Sequence, residues 1–194
     1  ILIGYVGAYP YAEVVSGYTA FFLGIQSVVK NVSMQVQFTN EWFNITKESE
    51  AANMLMASGC VIIGQHADST GAPSAVQAAH EKGTVAYSVG YNIDMQSVAP
   101  DVALTSATNN WAVYYEYAIS TLQKGEKLPQ NWAEGYEKDA VKITDLGSVC
   151  AEGTAEKVEE VVAAIKAGEL HVFDTEKFTV KGEKVDSCVI DLNN

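Results

Sequence analysis

Aromatic, amide and carboxylate side chains follow each of the apolar runs in the first half of the chain. The ring of Trp42 lies in a polar loop, where stacking on a planar ligand would use its large apolar face. Carboxylates accept hydrogen bonds from N–H groups or paired hydroxyls, and side-chain amides both donate and accept. These groups indicate a binding site for a flat, polar small molecule, with no residue assigned a catalytic role. The candidate binding residues are Tyr9, Asn40, Trp42, Asp68, Asn92, Asp94 and Trp111.

Each candidate residue also has a structural interpretation. Trp42 could cover the domain's own core, and Tyr11 could face the ligand in place of Tyr9. Asp94 could cap a helix, and the two asparagines could form turns. Trp111 begins an aromatic helix whose other rings we assign to core packing. We favour stacking for Trp42, and the role of Asp94 stays open between ligand binding and capping.

The elements that must position these residues alternate between strands and helices. Apolar runs predict strands over residues 1–6, 34–38, 60–64 and 84–89. Helical spacing predicts helices over about 12–29, 46–58 and 73–82, with Thr46 as an N-cap and Pro73 in a first turn. This order predicts an α/β fold with a parallel sheet flanked by helices. The loops that follow the strands should meet along one edge of the sheet, the rim, where open α/β sheets bind ligands.

The regular alternation of predicted strands and helices does not continue in the second half of the chain. Periodicity predicts a strand over residues 101–108 and helices over about 111–123 and 154–167. Residues 128–145 are predicted to be loop and short strands, with Trp132 and Tyr136 as packing residues. Polar strands and a hairpin near Lys181 are predicted within residues 173–190. We expect residues 1–92 to form one α/β lobe, and residues 93–194 to complete it and contribute to a further lobe.

The acidic net charge and the lack of arginine argue against nucleic-acid partners and anionic ligands. The formal net charge is -12, and all 12 basic residues are lysines. A chain this acidic repels phosphate backbones, so we expect no nucleic-acid partner. The absence of arginine removes the usual bidentate clamp for phosphate or carboxylate ligands, which favours a neutral ligand.

The sequence carries none of the common catalytic or cofactor signatures. It has no G-x-G-x-x-G dinucleotide fingerprint, no G-x-x-x-x-G-K-[ST] phosphate loop and no G-x-S-x-G elbow. His66 and Asp68 could form an acid/base pair, which is the basis of an alternative function as an enzyme acting on nucleosides. The remaining histidines lie on other elements, so we expect no metal site and no cofactor.

Several sequence segments resemble the basic membrane protein (BMP) family, the substrate-binding lipoproteins of bacterial ABC importers. They run in order along nearly the whole chain, at residues 4–10 (GYVGAYP), 39–43 (TNEWF), 65–69 (QHADS), 90–95 (GYNIDM), 104–106 (LTS) with 110–111 (NW), and 167–173 (AGELHVF). The resemblance implies a type I periplasmic-binding-protein fold, with this chain as a Rossmann-like three-layer sandwich of one lobe. It also implies that a first lobe precedes Ile1 and that closing segments follow Asn194.

The resemblance further implies a purine base or nucleoside as ligand and an ABC permease as partner. It places the protein at the cell surface or in the periplasm, held to the membrane only by a lipid anchor. The nucleoside-binding branch has G-V-D and S-x-x-K patterns where this chain has Gly90-Tyr91-Asn92 and residues 106–109 (SATN). Without that Asp and Lys, a free base such as adenine is favoured. A ligand-sensing domain of a regulator is a third possible function.

Overall fold

Five parallel strands and one antiparallel strand form a single sheet at the centre of the molecule. The computed structural model describes residues 1–177, 179 and 182–184. The sheet order is β2-β1-β3-β4-β5-β6, with only β6 antiparallel to its neighbour among the described strands. The strands are β1 Leu2–Gly7, β2 Ser33–Phe38, β3 Ile62–His66, β4 Tyr87–Tyr91, β5 Ala103–Asn109 and β6 Val141–Ile143. The predicted α/β class is therefore confirmed, with an antiparallel strand added at one edge.

The structure describes five α-helices, and the first three of them pack on the two faces of this sheet. They are α1 Ala12–Val28, α2 Ile45–Ala57, α3 Gly71–His80, α4 Trp111–Gln123 and α5 Thr154–Lys166. Tyr5 of β1 contacts Tyr18 and Phe21 of α1, so α1 lies on the face to which Tyr5 points. Helices α2 and α3 pack against each other and on the opposite face. The core between them and the sheet includes Val6, Leu55, Ile63, Val76 and Val102.

Three predicted boundaries were wrong in ways that affect the site. The N-cap of α2 is Asn44 rather than Thr46, because the Asn44 side chain accepts the hydrogen bond from the Lys47 N–H. Strands β3 and β4 end two residues later than predicted, since ladder pairing with their neighbours continues to His66 and Tyr91. These two side chains are therefore held by the sheet instead of lying in loops.

Helix α4 exposes an apolar stripe. Trp111, Tyr115, Ile119 and Leu122 recur at helical spacing, and each is more than half exposed. On another side of the helix, Trp132 packs on the rings of Tyr114 and Tyr117 at 5.1 and 6.1 Å between ring centroids. The predicted packing role of Trp132 is confirmed. None of the helices in the described part of the chain has the length and apolarity needed to cross a membrane.

Residues 173–177 form no strand, and most of the remaining segment predicted to contain C-terminal strands lies outside the described residues. The hairpin near Lys181 falls largely outside the described residues. The helix predicted over 154–167 is confirmed as α5, and its glutamates at positions 156, 159 and 160 are exposed.

Candidate functional site

Each candidate binding residue follows the carboxyl end of a parallel strand, from β1 to β5. Backbone hydrogen bonds join the loops that lie side by side. The Asn40 N–H donates to the carbonyl of Ala8 at 2.8 Å, and the Asp68 N–H donates to the carbonyl of Trp42 at 2.8 Å. The loops after β1, β2 and β3 thus form one connected part of the rim.

Three aromatic rings form a cluster at the β1 and β2 end of the rim. Tyr9 and Tyr11 stack at 5.0 Å with an interplanar angle of 11°. Trp42 is tilted against both, at 5.5 and 6.2 Å between ring centroids. Tyr9 and Trp42 are partly buried and pack against the core, whereas Tyr11 is exposed. Trp42 therefore has a supporting role in the core as well as a position on the rim.

The loop that carries Trp42 is held by polar contacts of its own residues. Thr39 donates through its hydroxyl to the Glu41 carbonyl at 2.7 Å. The Glu41 carboxylate accepts a hydrogen bond from the Asn44 amide at 2.7 Å and forms an ion pair with Lys47. Hydrogen bonds from Lys47 and Asn44 lower the pKa of the Glu41 carboxyl. Because Asn44 also caps α2, the helix start fixes the position of the loop.

The loop after β3 carries Asp68 and is ordered by buried side chains. The Gln65 amide donates to the carbonyls of Ala67 and Ser69 at 2.7 and 3.0 Å. Glu48 of α2 accepts the Ser69 N–H at 3.2 Å. Burial raises the pKa of Glu48, while the hydrogen bonds that it accepts from Asn44 and Ser69 act in the opposite direction. Asp68 is itself partly exposed, and its carboxylate can accept a hydrogen bond from a ligand.

A second polar cluster lies between α1 and the ends of β3 and β4. The His66 ring is buried, 4.2 Å from the Tyr91 ring centroid, and its Nε2 lies 3.7 Å from Glu13 Oε1. A Cβ at Gly17 would come within 2.6 Å of His66 Nδ1, so only glycine lets α1 approach this ring. Burial lowers the pKa of His66, while the charges of Glu13 and Asp68 act in the opposite direction. Desolvation raises the pKa of Tyr91, as do the same two carboxylates.

Sequence reasoning did not select Glu13 and Tyr91 as site residues. Glu13 lies in the first turn of a helix, and Tyr91 was predicted to lie in a loop, whereas β4 includes it. The spacing of Gly17 on the apolar face of α1 was the available signal for a close contact there. His66 Nε2 has no hydrogen-bond partner among the described residues, so His66 and Asp68 do not form a hydrogen-bonded acid/base pair.

We expect stability to fall as the pH drops because His66 is buried in its neutral form. The unfolded chain takes up a proton near the ordinary pKa of 6.5, whereas the folded chain does so only at lower pH. The stability contributed by neutral His66 is thus present above 6.5 and lost as pH falls through the depressed folded value. Urea unfolding between about pH 7.5 and about pH 5 should show a smaller loss in His66→Gln. The matched control, exposed His80→Gln, should retain the wild-type loss; equal behaviour of the two variants would contradict this assignment.

The remaining candidates lie at the β4 and β5 end of the rim. The Asp94 carboxylate accepts the Gln96 N–H at 2.9 Å, which is a turn contact. Asn92 adopts a left-handed φ of 72°, and its carbonyl accepts the Thr108 hydroxyl at 2.7 Å. Trp111 is the exposed first residue of α4. These candidates therefore lie on the loops after β4 and β5, where Asp94 makes a turn contact and Asn92 has the left-handed backbone typical of a turn residue.

A groove of about 470 Å³ lies elsewhere, between α5 and β6. It is apolar and is lined by Ile143, Val158, Val161 and Val162, among others. Within residues 1–177, 179 and 182–184, no three His, Cys, Asp or Glu side chains are grouped so that they could hold a metal ion.

Comparison with known proteins agrees with this arrangement. The chain is 36% identical over 190 residues to a purine-binding protein of Brucella abortus, covering 94% of this chain and 53% of that protein. It is 31% identical over 171 residues to a Haloferax volcanii protein provisionally named as the glucose-binding protein of an ABC transporter, covering 88% of this chain and 42% of that protein. The chain thus spans about half the length of these relatives, or less.

Solved structures show the same fold. An ABC transporter solute-binding protein of Conexibacter woesei superposes with a TM-score of 0.68 at 18% identity, over 88% of this chain and 56% of that one. Residues 2–176 match the family described as PnrA-like ABC transporter substrate-binding proteins. The resemblance found in the sequence is confirmed, and the chain belongs to this Bmp family.

Proposed function

We propose that the protein captures a purine base at the rim and delivers it to the permease of an ABC importer. The observation that carries this proposal is the cluster of Tyr9, Tyr11 and Trp42 directly beside the Asp68 loop. Aromatic faces suit the flat rings of a purine, and a carboxylate suits its N–H groups. The name of the Brucella abortus relative supports the same ligand class.

The acidic character of the rim favours a ligand that donates hydrogen bonds. The charges of Glu13 and Asp68 both favour a higher pKa of His66 and Tyr91, although burial keeps the pKa of His66 below its ordinary value. The nearby cation of Lys47 is paired with Glu41. An exocyclic amine and ring N–H groups, as in adenine, match this set of acceptors, and we favour a free base over a nucleoside. Asn40, Asn92, Asp94 and Trp111 stay candidate contacts.

The proposal includes a second lobe that closes over the ligand. Residues 1–92 would form one ligand-binding lobe, and residues 93–194 would complete it and contribute to the other. The exposed apolar stripe of α4 and the apolar groove beside α5 support this division, because a second lobe would cover them. In the organism the protein would work outside the cytoplasm, tethered to the membrane by a lipid anchor.

Titration of the full-length protein by calorimetry tests the ligand. We expect adenine to bind more tightly than adenosine, and glucose to bind weakly or not at all. Glucose is the informative competitor because the Haloferax volcanii relative carries that name and because stacked rings and carboxylates also suit sugars. If the protein binds glucose more tightly than adenine, the proposed purine ligand is wrong and the ligand is a sugar.

Asp68→Asn should weaken adenine binding about 10- to 100-fold. A hydrogen bond to a charged group contributes about 1.5–3 kcal/mol, and each tenfold change in affinity is about 1.4 kcal/mol. The matched control is Glu159→Gln on the exposed face of α5, which should leave the affinity unchanged. If Asp68→Asn binds adenine as the wild type does, Asp68 is not a ligand contact.

A further inference from the structure

Glu48 is a carboxylic acid buried beneath the rim. It lies in the first turns of α2, and no part of it is exposed. Its Oε1 accepts the Asn44 N–H at 3.1 Å and the Ser69 N–H at 3.2 Å. Asn44 ends the loop that carries Trp42, and Ser69 follows Asp68. One oxygen atom therefore connects the two loops.

Other contacts bring the same two segments together. The Asp68 N–H donates to the Trp42 carbonyl at 2.8 Å. The Ser49 hydroxyl of α2 donates to the Gly71 carbonyl at 2.9 Å, where α3 begins. The first of these contacts joins backbone atoms of the two loops, and the second joins the starts of α2 and α3. Glu48 alone among the described side chains accepts hydrogen bonds from the backbone of both loops.

We propose that Glu48 is a positioning residue that couples the Trp42 loop to the Asp68 loop and so holds the ring and the carboxylate of the proposed site at a fixed separation. The inference rests on the proposed function for its ligand, but the coupling itself can be measured without a ligand. Burying an acid is unfavourable unless it is hydrogen-bonded, and the two N–H groups that donate to Oε1 offset part of this cost. Oε2 has no partner among the described residues, so the hydrogen bonds of this buried carboxyl group are made by Oε1.

Two substitutions with side chains of similar length distinguish the effect of the hydrogen-bond acceptor from the effect of side-chain volume. Glu48→Gln keeps an oxygen that can accept both N–H groups, whereas Glu48→Met keeps the size and removes the strong acceptor. Glu50→Met, at an exposed position of α2, is the matched control. The readout is amide hydrogen exchange of the full-length protein without ligand, followed by titration with adenine.

We expect the amides of Asn44, Asp68 and Ser69 to exchange at least about tenfold faster in Glu48→Met, as the loss of two hydrogen bonds implies. Glu48→Gln should stay within roughly threefold of the wild type, as Glu50→Met should. Adenine affinity should fall about tenfold in Glu48→Met and recover in Glu48→Gln. If amides of the core strands in Glu48→Met also exchange faster, the comparison is repeated with Glu48→Asp. The shorter side chain keeps a carboxylate but moves it away from the two N–H groups.

The outcomes distinguish the two proposals. Unchanged exchange in either loop of Glu48→Met, or equal exchange in Glu48→Gln and Glu48→Met, overturns the coupling. Faster exchange with unaltered adenine affinity overturns the link to the ligand site. If the wild type does not bind adenine, the proposed ligand is wrong, while the exchange data still decide whether Glu48 couples the loops.

Discussion

Replacing Trp42 with alanine should weaken purine binding by the full-length protein about 10- to 100-fold. Stacking of a base on an aromatic ring contributes about 1–3 kcal/mol, which corresponds to this range at about 1.4 kcal/mol per tenfold change. Trp42→Ala should also lower the melting temperature, because the ring packs against Tyr9 and the core. Trp42→Phe keeps an aromatic face and should recover most of the affinity. Ligand titration and thermal melting of both variants measure the two effects separately.

Trp132→Ala is the control for this experiment. Trp132 packs on Tyr114 and Tyr117 of α4, far along the chain from the rim loops. Its loss should lower the melting temperature and leave the affinity nearly unchanged. If Trp42→Ala behaves in the same way, the ring belongs to the core alone and the proposed binding surface is misplaced.

Replacing Gly71 with alanine should produce the largest loss of stability among single-methyl changes in the site region. A Cβ at this position would lie 2.3 Å from the carbonyl oxygen of Ile45, a backbone atom that cannot rotate away. Overpacking of this kind lowers the free energy of unfolding by about 1–3 kcal/mol, occasionally more. The change would also separate the starts of α2 and α3, so purine affinity should fall. Urea unfolding and titration with adenine provide the measurements.

Gly24→Ala is the matched comparison. Gly24 lies in α1, and a Cβ there would have no neighbouring atom within 4 Å, so the methyl group has space. Alanine is favoured over glycine in a helix by roughly 0.5–1 kcal/mol, and this variant should be more stable than the wild type. A Gly71→Ala protein as stable as Gly24→Ala would show that α2 and α3 do not approach as closely as described.

The order of elements was predictable because strands and helices leave different apolar periods in the sequence. The rim followed from that order, since the loops after parallel strands share one sheet edge. The strand ends at His66 and Tyr91 were not predictable, because they depend on pairing with neighbouring strands. Asn44 and Thr46 are both good N-caps, and only the direction of a side chain distinguishes them.

The buried acid is the clearest case in which composition rules mislead. Glutamate is almost never fully buried unless it is paired, so Glu48 in the sequence looks like one more exposed residue of an acidic helix. Its role depends on a contact with Ser69, which is 21 residues away along the chain. Glu13 is similar, because its significance comes from its distance to His66 rather than from its own sequence neighbours.

The backbone bonds between neighbouring rim loops have a consequence for the thermodynamics of capture. Loops already tied to each other at Asn40 and Asp68 have little conformational entropy left to lose when a ligand arrives. The entropic penalty of binding should therefore come from the approach of the lobes and from the ligand itself, not from ordering this surface. A receptor whose binding loops are already ordered in the free state gains affinity, because less entropy is lost when the ligand binds. Loosening mutations in these loops should then shorten the residence time of the ligand more than they slow its association.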